Sequence, residues 1–409
     1  MSPLRRKILC YPGHDLTSAP PALSLPLMST FDVPPSRRGT GSLKWDKRPE
    51  LQPFWVADMD FPSPPEVIEA LHHRVDHGVF GYAVPHDGLV DSILDYLAKR
   101  HGASISSDHL VHLGGLVPAL SLAGRAFADP GDALLTCTPI YPPFLNIHRD
   151  ASLELITVPY ILEDGQWVFD WDSMETAVTP GTRLFLLSNP QNPLGRVFSE
   201  EEIIQLAEFC DRHDLILVSD EIHCDLILDE ERTPHFTALR LPDKYAVRTI
   251  TLLSPSKTYN IAGMGYAYAV IPDQRLRHRF TSKRGHTLAE ITCLGYHCAE
   301  AAYRHGEPWR RELVSYLRSN RDLLTTFCRE ELGKVTIPDM EATYLAWLDF
   351  RPAGIPEPAQ FLDDTAIARG ALVHGIDTIE GSVPPTHSLQ TQYDHDRPAP
   401  CWHPSRRVS

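Results

Sequence analysis

Long apolar runs and basic stretches are missing from this 409-residue chain. No stretch approaches the roughly 20 apolar residues that a membrane-spanning helix needs. No long run of lysine and arginine marks a surface for nucleic acid. The formal charge is −15 at pH 7 and the sequence pI is near 5.7, so contact with polyanions is further disfavoured. We therefore expect neither a nucleic-acid partner nor a membrane partner.

Paired cysteines are also missing, although the chain contains eight cysteines. None stands in a Cys-x-x-Cys pair, and Cys293 and Cys298, the closest two, match no metal signature. Scattered cysteines of this kind are typical of small buried side chains in a reducing compartment. Prolines interrupt the apolar run Ala19 to Met28, so the sequence contains no convincing signal peptide. These observations predict a cytoplasmic protein without a metal site.

Composition and periodicity divide the chain into five segments. We interpret residues 1–29 as an extraneous or disordered tail, with a targeting presequence as the alternative. Residues 30–61 are expected to form an N-terminal segment, 62–305 a large domain and 306–379 a smaller α+β domain. Residues 380–409 are proline-rich and aperiodic, which predicts disorder.

Short β runs alternate with helical patterns between residues 110 and 270. The predicted strands are Ala133–Cys137, Leu153–Val158, Arg183–Leu187, Leu215–Val218, Thr249–Leu253 and Tyr266–Val270. The predicted helices of this region are Val117–Ala128, Pro142–Arg149, Trp171–Ala177, Ser199–His213 and Phe236–Arg240. Flanking helices are predicted at Pro65–His77, Asp87–His101, Glu307–Leu332 and Glu357–Arg369, with two short strands between Val335 and Phe350. This alternation predicts a mostly parallel sheet covered on both faces, with ligands beyond the carboxyl ends of its strands.

One lysine follows an apolar, β-rich run. The run Val247 to Leu253 is followed by Ser254-Pro255-Ser256-Lys257-Thr258-Tyr259-Asn260. Burial at a strand end disfavours a charged ammonium, which suits a lysine that forms a Schiff base with an aldehyde. The hydroxyls of Ser254 and Ser256 are suited to an anionic group on that aldehyde. Taken alone, the heptad is weak evidence, because most strings of this kind are solvated loops.

Four further groups are candidates for the ends of sheet strands. Gly114–Pro118 stands before a predicted helix, and Pro139–Phe144, Ser188–Arg196 and Ser219–His223 follow predicted strands. The first offers free N–H groups to a phosphate where a helix begins, and Tyr141 offers a ring that can stack on a planar ligand. Asn192 can donate to a phenolic oxygen. Asp220 leaves a buried strand end, where a carboxylate needs a cationic partner such as a protonated pyridine nitrogen. Individually, each group also has a structural explanation: a connecting turn, core packing, Asn-Pro turn chemistry, or an arginine or lysine partner for Asp220.

Together with Lys257, these groups describe one ligand, pyridoxal 5′-phosphate (PLP). With these motifs the sequence resembles fold-type-I PLP-dependent enzymes of the aminotransferase class I/II superfamily, and within it the cystathionine β-lyase-like C–S lyases of the cystalysin and maltose-regulon modulator type. The resemblance extends from about residue 30 to about residue 372. It is carried by Arg37–Asp46, Trp55–Phe61, Pro139–Phe144, Ser254–Met264 and Thr343–Asp349. It implies an α/β fold in which a mostly parallel, seven-stranded-type sheet lies between helices, beside the smaller α+β domain.

The resemblance also implies a role for each site residue. Lys257 would carry the cofactor as a Schiff base, with Asp220 at the pyridine nitrogen. Tyr82 would act from a neighbouring subunit at the phosphate and complete the catalytic set, which implies a homodimer. The remaining cofactor-binding residues would be Asn192 at the 3′-oxygen, Tyr141 on the ring face, His223 in a supporting position, and Gly115, Leu116, Ser254 and Ser256 at the phosphate.

The implied reaction is an α,β-elimination on cystathionine or an S-substituted cysteine. Lys257 would take the Cα proton, the sulfur on Cβ would leave as a thiol, and pyruvate and ammonia would follow. An aminotransferase of class I/II on the same scaffold is the first alternative. A non-catalytic PLP-binding protein and an α/β binding module without PLP are the others.

One expected element departs from the family pattern. The related enzymes carry an arginine near the end of the small domain that forms a bidentate pair with the substrate carboxylate. After Leu372 the sequence has neither that arginine motif nor its glycine-rich turn. Arg369 falls in a predicted helix, and Arg397, Arg406 and Arg407 fall in the proline-rich tail. Loss of such a clamp is expected to weaken substrate binding by a few kcal/mol.

Overall fold

A computed structural model describes residues 29–54, 56–285, 288–355 and 371–373. Its strands are β1 Gln52–Phe54, β2 Leu110–Leu113, β3 Ala133–Thr138, β4 Glu154–Pro159, β5 Ile161–Glu163, β6 Gln166–Val168, β7 Thr182–Ser188, β8 Ile216–Asp220, β9 Thr249–Leu253, β10 Ala267–Val270 and β11 Ala371–Val373. Its α-helices are α1 Leu43–Asp46, α2 Pro65–Asp76, α3 Asp87–His101, α4 Leu116–Phe127, α5 Pro142–Ala151, α6 Trp171–Ala177, α7 Glu200–Arg212, α8 Asp243–Ala246, α9 Gln274–Arg284, α10 Cys293–His305 and α11 Glu307–Phe327.

The centre of the fold is a seven-stranded sheet with the order β2-β10-β9-β8-β7-β3-β4. Strands β4, β3, β7, β8 and β9 are parallel, and β10 runs antiparallel to both of its neighbours, β9 and β2. Because β10 alone is reversed, the other six strands end at one edge of the sheet. The α/β fold with a mostly parallel sheet, predicted from the alternating pattern, is therefore confirmed.

The sheet is buried on both faces, which explains why its strands read as continuous apolar runs. In β7, Leu184 and Leu186 pack into a core with α4 and α5 on one face. Phe185 and Leu187 pack into a second core with α6 and α7 on the other face. Successive side chains of a strand point to opposite faces, so both sets must be apolar here.

The N-terminal segment is anchored on α11 by aromatic packing. Phe31 is buried beside Phe61, Trp309 and Tyr316, with ring centroids 4.9–5.5 Å apart. Met59 belongs to the same cluster. Strand β1 pairs in parallel with β11, with Pro53 opposite Leu372. The segment up to residue 61 thereby acquires a fixed position relative to the central sheet.

Most predicted elements occur with small shifts at their ends, and α3, α6 and β9 match their predictions residue for residue. The predicted helix Glu307–Leu332 is helical to its end, as α11 to Phe327 and then as a π-helical turn, Cys328–Leu332. Two predictions were wrong. Phe236–Arg240 is only a 3₁₀ turn, Ala238–Arg240, because the Phe236 carbonyl accepts a hydrogen bond from the amide of Asn189 instead of continuing a helix. The elements that were not predicted are β1, β2, β5, β6, β11, α1, α8, α9 and α10.

The second error concerns Val335–Phe350, which was expected to form two strands. The segment makes only isolated bridges, Thr336 with Asp349 and Ala342 with Ile227. Thr343 has a left-handed backbone with φ of 70°, which a regular strand does not tolerate. Glu341 turns inward to a buried ion pair, so the local chain follows side-chain contacts and not a ladder.

Several predictions lie outside the described residues: the tail before residue 29, Trp55, the helix at 357–369 and the tail at 380–409. The division into a large and a small domain stays a prediction. The six cysteines of the described ranges are all buried and unpaired. No helix within those ranges combines the length and apolarity that crossing a bilayer requires.

Candidate functional site

The carboxyl edge of the sheet collects the predicted site residues. Asp220 is the last residue of β8, and Ser254 directly follows β9. Gly115 is the N-cap of α4, and Tyr141 is the N-cap of α5. Asn192 lies in the loop after β7 and is largely buried. Since Ser188 stands opposite Asp220 and Asp220 opposite Leu252, the strand ends are in register.

The serine loop is held by its own hydroxyl. Ser254 Oγ donates to the carbonyl of Tyr266 at 2.7 Å and accepts from the Ser256 N–H at 3.1 Å. Gly265 has a left-handed φ of 62°, and a Cβ there would lie 3.4 Å from the Gly114 carbonyl oxygen. The glycine turn before α4 therefore touches the segment that also binds Ser254. The two groups predicted to hold a phosphate are brought together.

Asp220 is buried, with 6% of its surface exposed. Its Oδ1 accepts a hydrogen bond from the Ile222 N–H at 3.0 Å. Within the described ranges no lysine, arginine or histidine forms an ion pair with it, so the arginine or lysine partner left open by the sequence is not found there. Burial raises the pKa of Asp220 to about 7. A carboxylate in this position requires a cationic partner to stay ionised.

Lys257 points at a main-chain oxygen 200 residues away in sequence. Its Nζ donates to the carbonyl of Ala57 at 2.6 Å. Burial lowers the pKa of Lys257, and the charges of Asp58 and Asp220 oppose that shift. Burial therefore favours the neutral amine, the form that acts as a nucleophile toward an aldehyde, while the charges of Asp58 and Asp220 favour its ammonium form.

His223 is buried beside this lysine. Both of its ring nitrogens lack a hydrogen-bond partner among the described residues. Burial, assisted by the charge of Lys257, lowers the pKa of His223 to about 3. Its ring meets that of Tyr344 edge-on, with centroids 6.0 Å apart. A neutral imidazole with two free nitrogens is therefore available to a ligand at this edge.

Sequence reasoning missed the contacts of residues 57–61, which we name the strap. Asn260, three residues after Lys257, donates to the carbonyls of Met59 and Phe61 at 3.0 and 2.7 Å. Its Oδ1 accepts from the Met59 N–H at 3.1 Å. The strap and the lysine loop are thereby clasped together by one side chain.

Replacing Asn260 by alanine is expected to destabilise the protein by about 2–4 kcal/mol. Three hydrogen bonds of about 1 kcal/mol each are lost, and alanine must adopt the left-handed backbone of Asn260, whose φ is 55°, at a further cost of about 1 kcal/mol. Asn260→Gly removes the same hydrogen bonds, but glycine adopts the left-handed backbone without this cost. We therefore expect its destabilisation to be about 1 kcal/mol smaller. Urea unfolding measures both, with the exposed Asn320→Ala as the control. Equal stability of wild type and Asn260→Ala would contradict the clasp.

The two N-terminal motifs meet through ion pairs. Arg37 binds Asp58 at 2.6 Å and Asp60 at 2.8 Å. Lys44 and the indole of Trp45 also bind Asp60, at 2.8 and 2.7 Å. One signal for this contact was present in the sequence, because two short motifs about 20 residues apart carry opposite charges. Neither motif offers a partner for its own charges on a helix. These pairs fix the strap from the side opposite Asn260.

Tyr344 is a second residue whose position sequence reasoning missed. Its hydroxyl donates to the Ala57 carbonyl at 3.1 Å, the same oxygen that accepts from Lys257. The Thr343 N–H donates to the Leu226 carbonyl at 2.8 Å. The preceding Glu341 is fully buried and pairs with Arg196 at 2.9 Å. These contacts hold residues 341–344 against the loops that follow β7 and β8.

Two sets of predicted residues are not brought to this site. Tyr82 is fully exposed, at 104% of its reference surface, and so does not line the edge within its own chain. The candidate carboxylate-binding arginines, Arg369, Arg397, Arg406 and Arg407, lie outside the described residues. Leu116 is buried at the first turn of α4 and offers its main chain to the edge.

Comparison with known proteins identifies the family. Residues 54–386 match the model for aminotransferase class I and II. Cystathionine β-lyase PatB of Bacillus subtilis is 38% identical over 335 residues, which is 80% of this chain and 86% of the relative. Protein MalY of Escherichia coli is 30% identical over 344 residues, 81% of this chain and 86% of the relative.

A solved structure shares the fold and contains the cofactor. The crystal structure of cystalysin from Treponema denticola, which contains pyridoxal 5′-phosphate, has a TM-score of 0.78 and 32% identity. The match covers 82% of this chain and 88% of that one. With the partly buried Lys257 and the buried carboxylate of Asp220 at the same sheet edge, the chain belongs to the aminotransferase class I and II family of PLP-dependent enzymes.

Proposed function

We propose that this protein is a PLP-dependent carbon–sulfur β-lyase that cleaves cystathionine or an S-substituted cysteine to a thiol, pyruvate and ammonia. The observation that carries the proposal is that Lys257 and the buried Asp220 both lie at the carboxyl edge of the sheet, close enough for their charges to interact. The lyase names of its relatives, PatB among them, favour this reaction over transamination. No observation favours the aminotransferase alternative more strongly.

The residues present fit PLP. Asp220 is a buried carboxylate with no cationic partner in the described ranges, which suits a protonated ring nitrogen. His223 has two ring nitrogens without a hydrogen-bond partner among the described residues, and it is close enough to Lys257 to be influenced by its charge. Lys257 would bind the aldehyde covalently, Asn192 would bind the 3′-oxygen, and Tyr141 would cover the ring. The phosphate would be held by Gly115, Leu116, Ser254 and Ser256, where a helix begins and offers free N–H groups.

When bound, PLP supplies an aldehyde that binds the substrate amine and a ring that stabilises negative charge at the substrate Cα. Lys257, as a free amine, would take the proton from the substrate Cα, and Asp220, as a carboxylate, would favour a protonated ring nitrogen. The C–S bond would break with its electron pair on sulfur, and the thiolate would take the proton held by Lys257. Water would then hydrolyse the unsaturated amine that remains to pyruvate and ammonia. His223 stays neutral at its low pKa and adds no second positive charge beside Lys257.

Two finer features belong to this proposal. A homodimer is supported by an exposed apolar strip that includes Val79, Phe80, Tyr82 and Val84, because large exposed apolar patches mark contact surfaces. In that dimer Tyr82 would reach the phosphate of the other subunit. A cytoplasmic location is supported by the buried, unpaired cysteines of the described ranges.

The test is a pyruvate assay with cystathionine and with S-methylcysteine, run without any 2-oxo acid acceptor. We expect pyruvate, ammonia and thiol in equal amounts, because elimination needs no second substrate. Borohydride reduction followed by peptide mass spectrometry should place a PLP adduct on Lys257. Product that forms only when a 2-oxo acid is added would indicate an aminotransferase. An adduct on Lys257 without any turnover would indicate a non-catalytic PLP-binding protein.

A further inference from the structure

The amino group of Lys257 is bound by a main-chain carbonyl of the strap. Its Nζ lies 2.6 Å from the Ala57 carbonyl oxygen. The hydroxyl of Tyr344 donates to the same oxygen at 3.1 Å. The next residue, Asp58, uses Oδ2 to pair with Arg37 at 2.6 Å. Its Oδ1 is buried and has no hydrogen-bond partner among the described residues.

We propose that the Ala57 carbonyl, fixed by the Tyr344 hydroxyl, forms a seat for the free ammonium group of Lys257, and that the Asp58 carboxylate, next to Ala57 in the chain, supplies the countercharge without an ion pair of its own to Nζ. The proposal rests on the proposed function, in which Lys257 leaves the aldehyde when substrate binds and then carries the proton taken from Cα. A buried ammonium requires hydrogen-bond acceptors and a countercharge. The seat and Asp58 together supply both, which makes Ala57, Asp58 and Tyr344 positioning residues for the catalytic lysine.

The seat is rigid because three separate segments hold it. Asn260 clasps Met59 and Phe61 to the lysine loop. Arg37 holds Asp58 from the outside. On the third side, the buried pair of Glu341 with Arg196 anchors the segment that carries Tyr344. Because the acceptor is already fixed, binding the lysine amine at each turnover does not require the groups of the seat to lose conformational freedom.

Lys257 is faced by carboxylates, which favour its ammonium form, and by groups that stay neutral. Asp58 faces it from the strap and Asp220 from the end of β8, and both favour the ammonium form. His223, which the charge of Lys257 also influences, is neutral at its low pKa. Tyr344 stays protonated, since burial raises its pKa. Removing the charge of Asp58 should therefore lower the pKa of Lys257 beyond the reduction that burial already causes.

The test measures this pKa directly on the full-length protein after removal of PLP. Dinitrofluorobenzene reacts only with neutral amines, so the extent of labelling at Lys257 is followed against pH by peptide mass spectrometry. In Asp58→Asn we expect the pH midpoint of labelling at Lys257 to fall by about one unit, a typical effect of losing a nearby opposite charge. Below the midpoint, labelling should then be about tenfold faster.

Asp60→Asn is the matched control. It also loses a pair with Arg37, together with pairs to Lys44 and Trp45, but Asp60 does not act on Lys257. Its midpoint should stay within about 0.3 pH units of wild type, and Asp58→Glu should recover most of the shift. An unchanged midpoint in Asp58→Asn, or an equal shift in Asp60→Asn, would overturn the seat.

Tyr344→Phe tests the hydroxyl in the PLP-loaded enzyme. We expect kcat to fall about three- to tenfold and KM for S-methylcysteine to stay within about twofold, because Tyr344 acts on Lys257 and not on the substrate. A raised KM with unchanged kcat would place Tyr344 in substrate binding instead. The labelling experiment needs neither PLP nor turnover, so its failure is distinguishable from failure of the lyase assay.

Discussion

Replacement of Lys257 by alanine is expected to reduce pyruvate formation by about 10³-fold or more. The variant loses a general base, an effect of roughly 10²–10⁴ by itself, and it also loses the amine that binds the aldehyde covalently. The visible absorbance of the imine between PLP and the lysine should disappear, and borohydride should leave no adduct on the peptide that contains position 257.

Folding should survive this change. Lys257 is largely buried and its ammonium is disfavoured there, so its removal relieves a desolvation cost. The control is Lys99→Ala, which removes an exposed lysine paired with Asp95 at 2.8 Å. Such a surface pair contributes at most about 1 kcal/mol, and activity should be unchanged. Lys257→Ala with near-normal pyruvate formation would reject the assignment of the catalytic amine.

Asp220→Asn is expected to have opposite effects on the protein with and without PLP. In the loaded enzyme the variant loses the charge opposite the cationic ring nitrogen. We expect kcat to fall by roughly 10²–10³, a common result of removing one preorganised electrostatic contact, and PLP to bind more weakly. Without PLP the variant replaces an unpaired buried carboxylate by a neutral amide, which should stabilise the fold at neutral pH.

The raised pKa of Asp220 determines how the stability of the protein without PLP changes with pH. The pKa of Asp220 is raised to about 7 in the folded protein, against an ordinary value near 4 in the unfolded chain. The folded state therefore binds more protons between these values, so wild type without PLP loses stability as pH rises from about 4 to about 7. Asp220→Asn lacks this contribution and should gain a few kcal/mol over wild type by pH 7.5, since one pKa unit is about 1.4 kcal/mol.

Urea unfolding of both proteins at pH 5 and pH 7.5, with and without PLP, measures these effects. The stability difference between variant and wild type should grow with pH in the absence of PLP and should reverse when PLP is added. Asp91→Asn, at an exposed position on α3, is the control. A difference that does not depend on pH would show that Asp220 is already ionised and paired before PLP binds.

The sequence alone determined the sheet and the edge at which the chemistry is expected. Strands β3, β7, β8 and β9 are apolar on both faces, and each is followed by a polar group. Because the carboxyl ends of parallel strands lie at one edge, Asp220 and Ser254 had to come together once the strands were recognised. The order of chemical types along the chain then indicated PLP before any contact was known.

The tertiary structure decided how Lys257 is held. The contacts of Lys257 and Tyr344 with Ala57 join residues 200 and 287 positions apart. Their acceptor is a main-chain carbonyl, which every residue possesses and which therefore leaves no mark in the sequence. Asp58 and Asn260 are visible as residues, but their function depends on which segment packs against which. Local patterns fix strands and their ends, whereas the environment of a buried amine is set by long-range packing that periodicity does not encode.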